Sequence, residues 1–379
     1  MKAMDLKSWI REAAKRLDFD LCGIAPAILP DRDRGQYLWW LDQGFHGEMT
    51  YMEREQRQDI RLLFPEVRSI ICAAMVYNSP HPKSIDCPDP TRGWISRYGW
   101  GEDYHFILRE RLEQLLTELR VAAGFSFEAK VYVDTGPLLE RTIARTAGLG
   151  WVGKNTCLIN QKAGSWFVMG EILTSLELEP DLSAADRCGT CRRCIDACPT
   201  AAIVEPYVLD ATRCIAYFTI EARGTIPEEF RPAIGRHVFG CDICQDVCPW
   251  NRKAPVTLLQ QFQPRKFDPI GVQELRESKT EPRPEGSGPV ELETHDEMAA
   301  NTFNPPLDWL ASLSESEFSS FFRRSPVKRA RYRGMLRNVA IAMGNSQNRR
   351  YLSILRKLAE YPDCVVQEHA RWALDQLDQ

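Results

Sequence analysis

Residues 188–199 read Cys188-Gly-Thr-Cys191-Arg-Arg-Cys194-Ile-Asp-Ala-Cys198-Pro199. A C-x2-C-x2-C-x3-C-P run is the spacing by which small iron–sulfur proteins hold 4Fe–4S clusters, three thiolates on one cluster and the fourth on its neighbour. A shorter run follows, Cys241-x2-Cys244-x3-Cys248-Pro249, with Cys214 alone between the two. Eight of the thirteen cysteines therefore fall between Cys188 and Cys248 and divide into two fours. The expected sets are Cys188, Cys191, Cys194 and Cys248 on one cluster, and Cys198, Cys214, Cys241 and Cys244 on the other. Iron takes soft thiolate donors, and the x2 spacing lets consecutive sulfurs converge. Paired zinc sites are the competing reading, but zinc favours two separated C-x2-4-C pairs over this run.

Working outward, the 379 residues carry 48 Lys+Arg against 52 Asp+Glu, with 44% hydrophobic and 26% charged residues. That composition excludes a largely disordered, collagenous or membrane-embedded chain, and a net charge of −4 excludes a globally basic nucleic-acid binder. The opening MKAMDLKSWIREAAKRL is an amphipathic helix rather than a secretory leader, and no apolar run reaches the ~18 residues of a spanning helix. A cytoplasmic protein without a membrane segment is expected, in which clustered thiols bind metal before they form disulfides.

Two to three domains suit this length. Leu6, Ile10, Ala13, Ala14 and Leu17 repeat at helical spacing, as do Ile107, Leu108, Leu112, Leu115, Leu116 and Leu119. Strands are expected at Ser69–Tyr77, Phe125–Val133 and Ser165–Leu173. The fold class is α+β and multidomain: a layered α/β unit over 1–177, an iron–sulfur unit over 178–255, a connecting segment over 256–322 and a helical unit over 323–379. Within the connection, 277–297 is acidic, rich in Pro and Gly, and reads as a solvated loop. The last fifty residues suggest helix pairs, at Leu336–Met343 with Tyr351–Leu358 and then Val365–Leu377, as in a short helical repeat.

Three further features bear on chemistry. Gly148-x-Gly150-x-x-Gly153-Lys154-Asn155 imitates a nucleotide loop, but it follows a helix-like stretch and precedes an extended one, so it reads as a helix-ending glycine turn. Asp134 closes the extended VYV. Because Pro137 suits a first helical position, Gly136 is the expected cap and Asp134 is left as a proton-donor candidate. Arg323, Arg324, Lys328, Arg329, Arg331, Arg333 and Arg337 form a block without acidic residues, suited to a phosphate backbone. The six histidines are isolated and read as structural; Asp103-x-His105 lacks the glycine of a cobalamin D-x-H-x-x-G motif.

The segments RQDIRLLFPEVRSII (57–71), SRYGWGEDYH (96–105), VDTGPLLER (133–141), GLGWVGKN (148–155), both cysteine runs and CIAYFTIEARGTIPEE (214–229) together resemble the epoxyqueuosine reductases. The chain departs from that pattern at Ile215-Ala216, where the family often has Ser after the lone cysteine. The resemblance implies a nitroreductase-like α/β cobalamin domain, a ferredoxin-like domain with two 4Fe–4S clusters and a HEAT-like C-terminal end. It implies cobalamin without a His ligand below cobalt, and reduction of the epoxide of epoxyqueuosine at the tRNA wobble position. Asp134 matches the family's proton donor. Arg57, Arg97, Tyr98, Lys154, Asn155 and Ser165 lie in segments that would line the cofactor or substrate pocket. Arg323, Arg324, Lys328, Arg329, Arg331 and Arg333 would meet tRNA. A flavodoxin or ferredoxin would supply electrons to a monomer. A cobalamin-dependent dehalogenase of small molecules and a non-catalytic electron carrier are the alternatives.

Overall fold

The computed structural model describes residues 5–266 and 301–378. The acidic stretch 277–297 lies outside the described residues.

The first half is built on a four-stranded sheet. Its elements are α1 (Leu6–Arg16), β1 (Leu21–Pro26), α2 (Asp31–Asp42), β2 (Ser69–Val76), β3 (Trp94–Ile95), α3 (Tyr104–Ala123), β4 (Ala129–Tyr132), α4 (Glu140–Thr146), β5 (Trp151–Val152), β6 (Leu158–Ile159) and β7 (Phe167–Thr174). The sheet order is β1-β2-β7-β4, and each neighbouring pair is antiparallel. Every residue of β2 is buried, as expected of an apolar run covered on both faces. Alternation sorts its side chains: Ile71, Ala73 and Met75 join Ile10, Ala14, Leu108, Leu112 and Leu116 of α1 and α3. Ile70, Cys72, Ala74 and Val76 face Ile143 and Ala144 of α4. The expected strand over 125–133 is shorter, β4 alone.

Local signals explain the ends. The carboxylates of Asp5 and Asp103 accept from the Lys7 and His105 amides, each at 3.1 Å, and cap α1 and α3. Gly124 ends α3 in the left-handed conformation. Gly148, also left-handed, ends the stretch after α4, and β5 pairs with β6 as a hairpin, so the glycine run is a turn. One expectation is corrected. Pro137 does not open α4, which starts at Glu140 after a bent segment 134–138, so Gly136 is not its cap.

The cysteine-rich part contains α5 (Arg193–Asp196), β8 (Ile203–Glu205), β9 (Val208–Leu209), α6 (Ile215–Ile220), α7 (Arg231–Ile234), β10 (His237–Phe239) and α8 (Ile243–Asp246). Its β10 pairs in parallel with β3. The C-terminal helices are α9 (Leu307–Ser312), α10 (Glu315–Phe321), α11 (Arg331–Asn345), α12 (Leu352–Ala359) and α13 (Cys364–Asp378). Their apolar faces share one core with Ile215, Phe218, Val238 and Phe239. Arg337 is 1% exposed and donates to the carbonyls of Phe218, Ala222 and Gly224, while Asn338 donates to those of Thr219 and Val238. Arg337 is thus a clamp between α11 and the cysteine-rich part, a correction to its reading as a member of the phosphate-facing block.

Candidate functional site

The cysteines of this part lie in neighbouring groups of thiols. Around Cys194 the neighbouring thiols are Cys188, Cys248 and Cys191. Cys241 faces Cys214 and Cys198, and Cys244 is hydrogen-bonded to the thiol of Cys157, which the sequence reading leaves out, and faces Cys241 and Cys214. Burial, then mutual repulsion, pushes Cys194 up to about 11 and Cys241 well above its ordinary value. Such thiols ionise only beside a strong cation, which is the chemistry of an iron–sulfur ligand set. Among the described residues, no three His, Cys, Asp or Glu side chains are arranged for a single metal ion. A four-iron cluster is larger than one ion, and its thiolates stand farther apart. The buried indole Nε1–H of Trp151 has no partner among the described residues, and Trp151 packs with Cys248 and Cys188. An orphan donor beside two thiols suits a sulfide acceptor. The residues present therefore fit two clusters.

Three residues quoted for the pocket bind this cysteine-rich part. Lys154 Nζ donates to the carbonyls of Gly189 (2.6 Å) and Cys191 (3.0 Å). Asn155 Nδ2 reaches the Cys244 carbonyl at 3.3 Å. Ser165 receives Asn251 and Gln245 on its hydroxyl, at 2.9 and 3.0 Å. All three are buried. They fix the β5–β6 turn and the start of β7 to the loops that carry both thiol sets.

Arg97 is buried between the rings of Trp100 (4.7 Å) and Trp166 (5.2 Å) and donates to the carbonyls of Ser79 and His81. It borders a groove of about 890 Å3 shared with Arg193 and Arg252. Arg57, also buried, donates to the Leu138 carbonyl at 2.7 Å and lies over Tyr51. Tyr98 packs edge-on against Tyr104 at 6.2 Å.

Asp134 sits where β4 gives way to the bend, with φ +53°, a left-handed backbone that aspartate tolerates better than most residues. Its side chain is 56% exposed. Its Oδ2 accepts from Tyr104 Oη and meets His105 Nε2, each at 3.1 Å. The other imidazole nitrogen, Nδ1, lies 2.6 Å from Asp103 Oδ1. Burial alone would depress this imidazole, but its bonds to the two aspartates outweigh burial and raise it to about 9. Partial desolvation by its neighbours works to raise Asp134, yet the bond from His105 holds it below the ordinary carboxylate value. Behind it, Glu140 Oε1 accepts the Asp134 amide at 2.6 Å. Burial, then the charge of Asp134, lifts Glu140 to about 8. Glu171 of β7 is wholly buried and is raised well above its ordinary value by burial and by Glu140.

Sequence reasoning missed Tyr104, Glu140 and Glu171, and read His105 as structural; the structure corrects that by seating it on Asp134. Both its ring nitrogens face carboxylates.

The basic block divides. Arg329 pairs with Glu221 (2.6 Å) and Arg333 with Asp363 (3.0 Å). Arg323, Arg324, Lys328 and Arg331 are exposed and make no ion pair with described residues. Arg324 stacks on Phe106 at 4.8 Å, which sets this block beside the first turn of α3 and hence beside Asp134.

A family model described as "Epoxyqueuosine reductase QueG, DUF1730" matches residues 57–135, and one described as "4Fe-4S double cluster binding domain" matches 187–251. The epoxyqueuosine reductase of Pseudomonas aeruginosa is 38% identical over 378 residues, covering 98% of this chain and 93% of the relative. That of Escherichia coli is 36% identical, covering 99% and 89%. A crystal structure of epoxyqueuosine reductase with a tRNA-Tyr epoxyqueuosine-modified stem loop matches with TM-score 0.82 and 30% identity, covering 99% and 90%. The Bacillus subtilis enzyme, with a catalytic loop swung out of the active site, matches with TM-score 0.79 and 29% identity, covering 98% and 90%.

Proposed function

The chain belongs to the epoxyqueuosine reductase family, and we propose that it reduces epoxyqueuosine to queuosine at the wobble position of tRNA. The reaction takes two electrons and two protons: both epoxide C–O bonds break, a C=C bond remains and the oxygen leaves as water. Its cofactors are two 4Fe–4S clusters and cobalamin. The clusters carry electrons singly and cobalamin supplies a cobalt centre reducible enough to act on the epoxide carbon.

The protein's own part is positioning and protonation. Cys188, Cys191, Cys194 and Cys248 hold one cluster, and Cys198, Cys214, Cys241 and Cys244 the other. Lys154, Asn155 and Ser165 keep those loops against the α/β unit that would hold cobalamin. Arg57, Arg97 and Tyr98 shape the pocket wall. Asp134, half-exposed at a bend, delivers a proton to the epoxide oxygen. Arg323, Arg324, Lys328 and Arg331 present positive charge to the tRNA backbone, with Arg329 and Arg333 at the same face. We assign the four-stranded layered unit, within 1–177, to a nitroreductase-like fold, 178–255 to a ferredoxin-like one and 323–379 to a HEAT-like unit. Electrons come from a flavodoxin or ferredoxin, and the enzyme works as a cytoplasmic monomer.

The observation that carries this reading is the joining of two thiol sets, through Lys154, Asn155 and Ser165, to the scaffold that presents Asp134. A carrier alone would need only the thiols. The test is anaerobic purification, reconstitution with cobalamin, and metal analysis. About eight irons and one cobalt per chain are expected. Zinc in place of iron, or eight irons with no cobalt retained, would refute it.

A further inference from the structure

We infer that the proton spent on the epoxide oxygen is stored on His105, which Asp103 orients, and reaches the substrate through Asp134. This rests on the reading above and names a positioning residue for the same site.

A proton donor must hold its proton before the reaction, yet Asp134 is held in its ionised form by the groups around it. Among the described residues its carboxylate is bonded by Tyr104 Oη and His105 Nε2, so it faces two donors. His105 lies between Asp103 and Asp134, at 2.6 and 3.1 Å. An imidazole between two carboxylates keeps both nitrogens protonated at neutral pH. The Asp103 bond is made by the residue that also caps α3, so the ring is fixed by the helix start itself. Tyr104 stacks on the imidazole at 4.2 Å and limits its rotation.

The groups that face His105 and Asp134 come from several elements. Asp103 and Tyr104 come from the start of α3, Asp134 and Glu140 from the bend and the start of α4, and Tyr98 from the preceding turn. From the C-terminal block, the Arg324 carbonyl accepts the Asp103 amide at 2.8 Å, and Arg329 acts on Asp134. Glu140 is the rival store, but its carboxylate faces the backbone amide of Asp134. It has no bond to the side chain that would carry the proton.

The step balances. As the first epoxide C–O bond breaks, the Asp134 O–H formed from the His105 Nε2–H passes its proton to the leaving oxygen, and after His105 is reprotonated the same route delivers the second proton as the remaining C–O bond breaks and water leaves. His105 becomes neutral and takes a proton from solvent, and Asp134 returns to carboxylate. The electrons come from the clusters, refilled by an external low-potential one-electron carrier.

The test uses the cluster-loaded protein with 15N-labelled histidine, and single-turnover kinetics with cobalamin and substrate tRNA. Wild type should show one imidazole titrating near 9, absent in His105→Gln and moved toward ~6.5 in Asp103→Asn. The single-turnover rate should fall above pH ~9 in wild type and above about 6.5 in Asp103→Asn, while His105→Gln should lose ~10²-fold or more with its alkaline limb gone. Glu140→Gln should keep the wild-type limb. A His105 titration at or below 6.5, or an alkaline limb unmoved in Asp103→Asn although that imidazole has shifted, overturns the inference. Because the titration is read without turnover, failure here is separable from failure of the proposed reaction.

Discussion

The thiol region and the Asp134 region solve opposite electrostatic problems. Around Cys194, Cys241 and Cys244 the neighbours of each thiol are other thiols, so ionising the set unaided is self-repulsive and an external cation must complete it. Around Asp134 the charges complete one another: aspartate, imidazole and aspartate in a row, braced by Tyr104 and Glu140. The first region is organised fully only when loaded, whereas the second is preorganised by the fold. The difference teaches that metal loss and proton loss should be separable failures of one enzyme.

The largest effect that would break this separation is at the thiols. Cys241→Ala should remove one cluster, about four of about eight irons, and abolish turnover while the His105 titration stays in place. Loss of that titration together with the iron would show the two regions to be one. Next, Asp134→Asn should retain all the iron and lose turnover by ~10²–10⁴-fold, measured in single turnover. Unchanged turnover would remove Asp134 from the chemistry.

Lys154→Met sharpens the boundary between the regions. It leaves the part-buried carbonyls of Gly189 and Cys191 without their donor, at a cost of about 0.5–1.5 kcal/mol each. Faster iron loss to a chelator is expected, with the acid site unaffected.

A smaller effect is read from stability against pH. The folded chain holds a proton on Glu140 up to about 8, against 4.5 for the ordinary group, so the folded state binds more protons across that window. Stability should therefore fall as pH rises from 4.5 to 8, and Glu140→Gln should flatten that slope. His105 adds a fall of the same sign between 6.5 and about 9. The smallest effect concerns tRNA: Lys328→Ala and Arg331→Ala should each reduce the salt dependence of binding by about one phosphate contact. Equal loss from Arg337→Ala without loss of fold would contradict its role as a clamp.

How much was legible follows from where each signal lies along the chain. The helix at Leu6–Arg16, the buried strand at Ser69–Val76 and the double-cluster region were legible because periodicity and cysteine spacing are local. The joining of His105 to Asp134 was not, since it is made by α3 and β4 folding side by side. Glu171 sits in the strand FVMGEILT, whose apolar run hid a carboxyl turned onto α4. Pro137 misplaced the start of α4 because its fixed φ also suits the bend that sets Asp134 at its left-handed angle. Arg337 looked like its six basic neighbours because charge counting does not say which face of α11 turns inward.

The most direct measurement is nucleoside mass spectrometry of epoxyqueuosine-containing tRNA after incubation with the reconstituted protein and a low-potential reductant. The account predicts loss of one oxygen atom from the modified nucleoside, dependent on cobalamin and on both clusters. An unchanged nucleoside, with both clusters and cobalamin verified in the same sample, would contradict it.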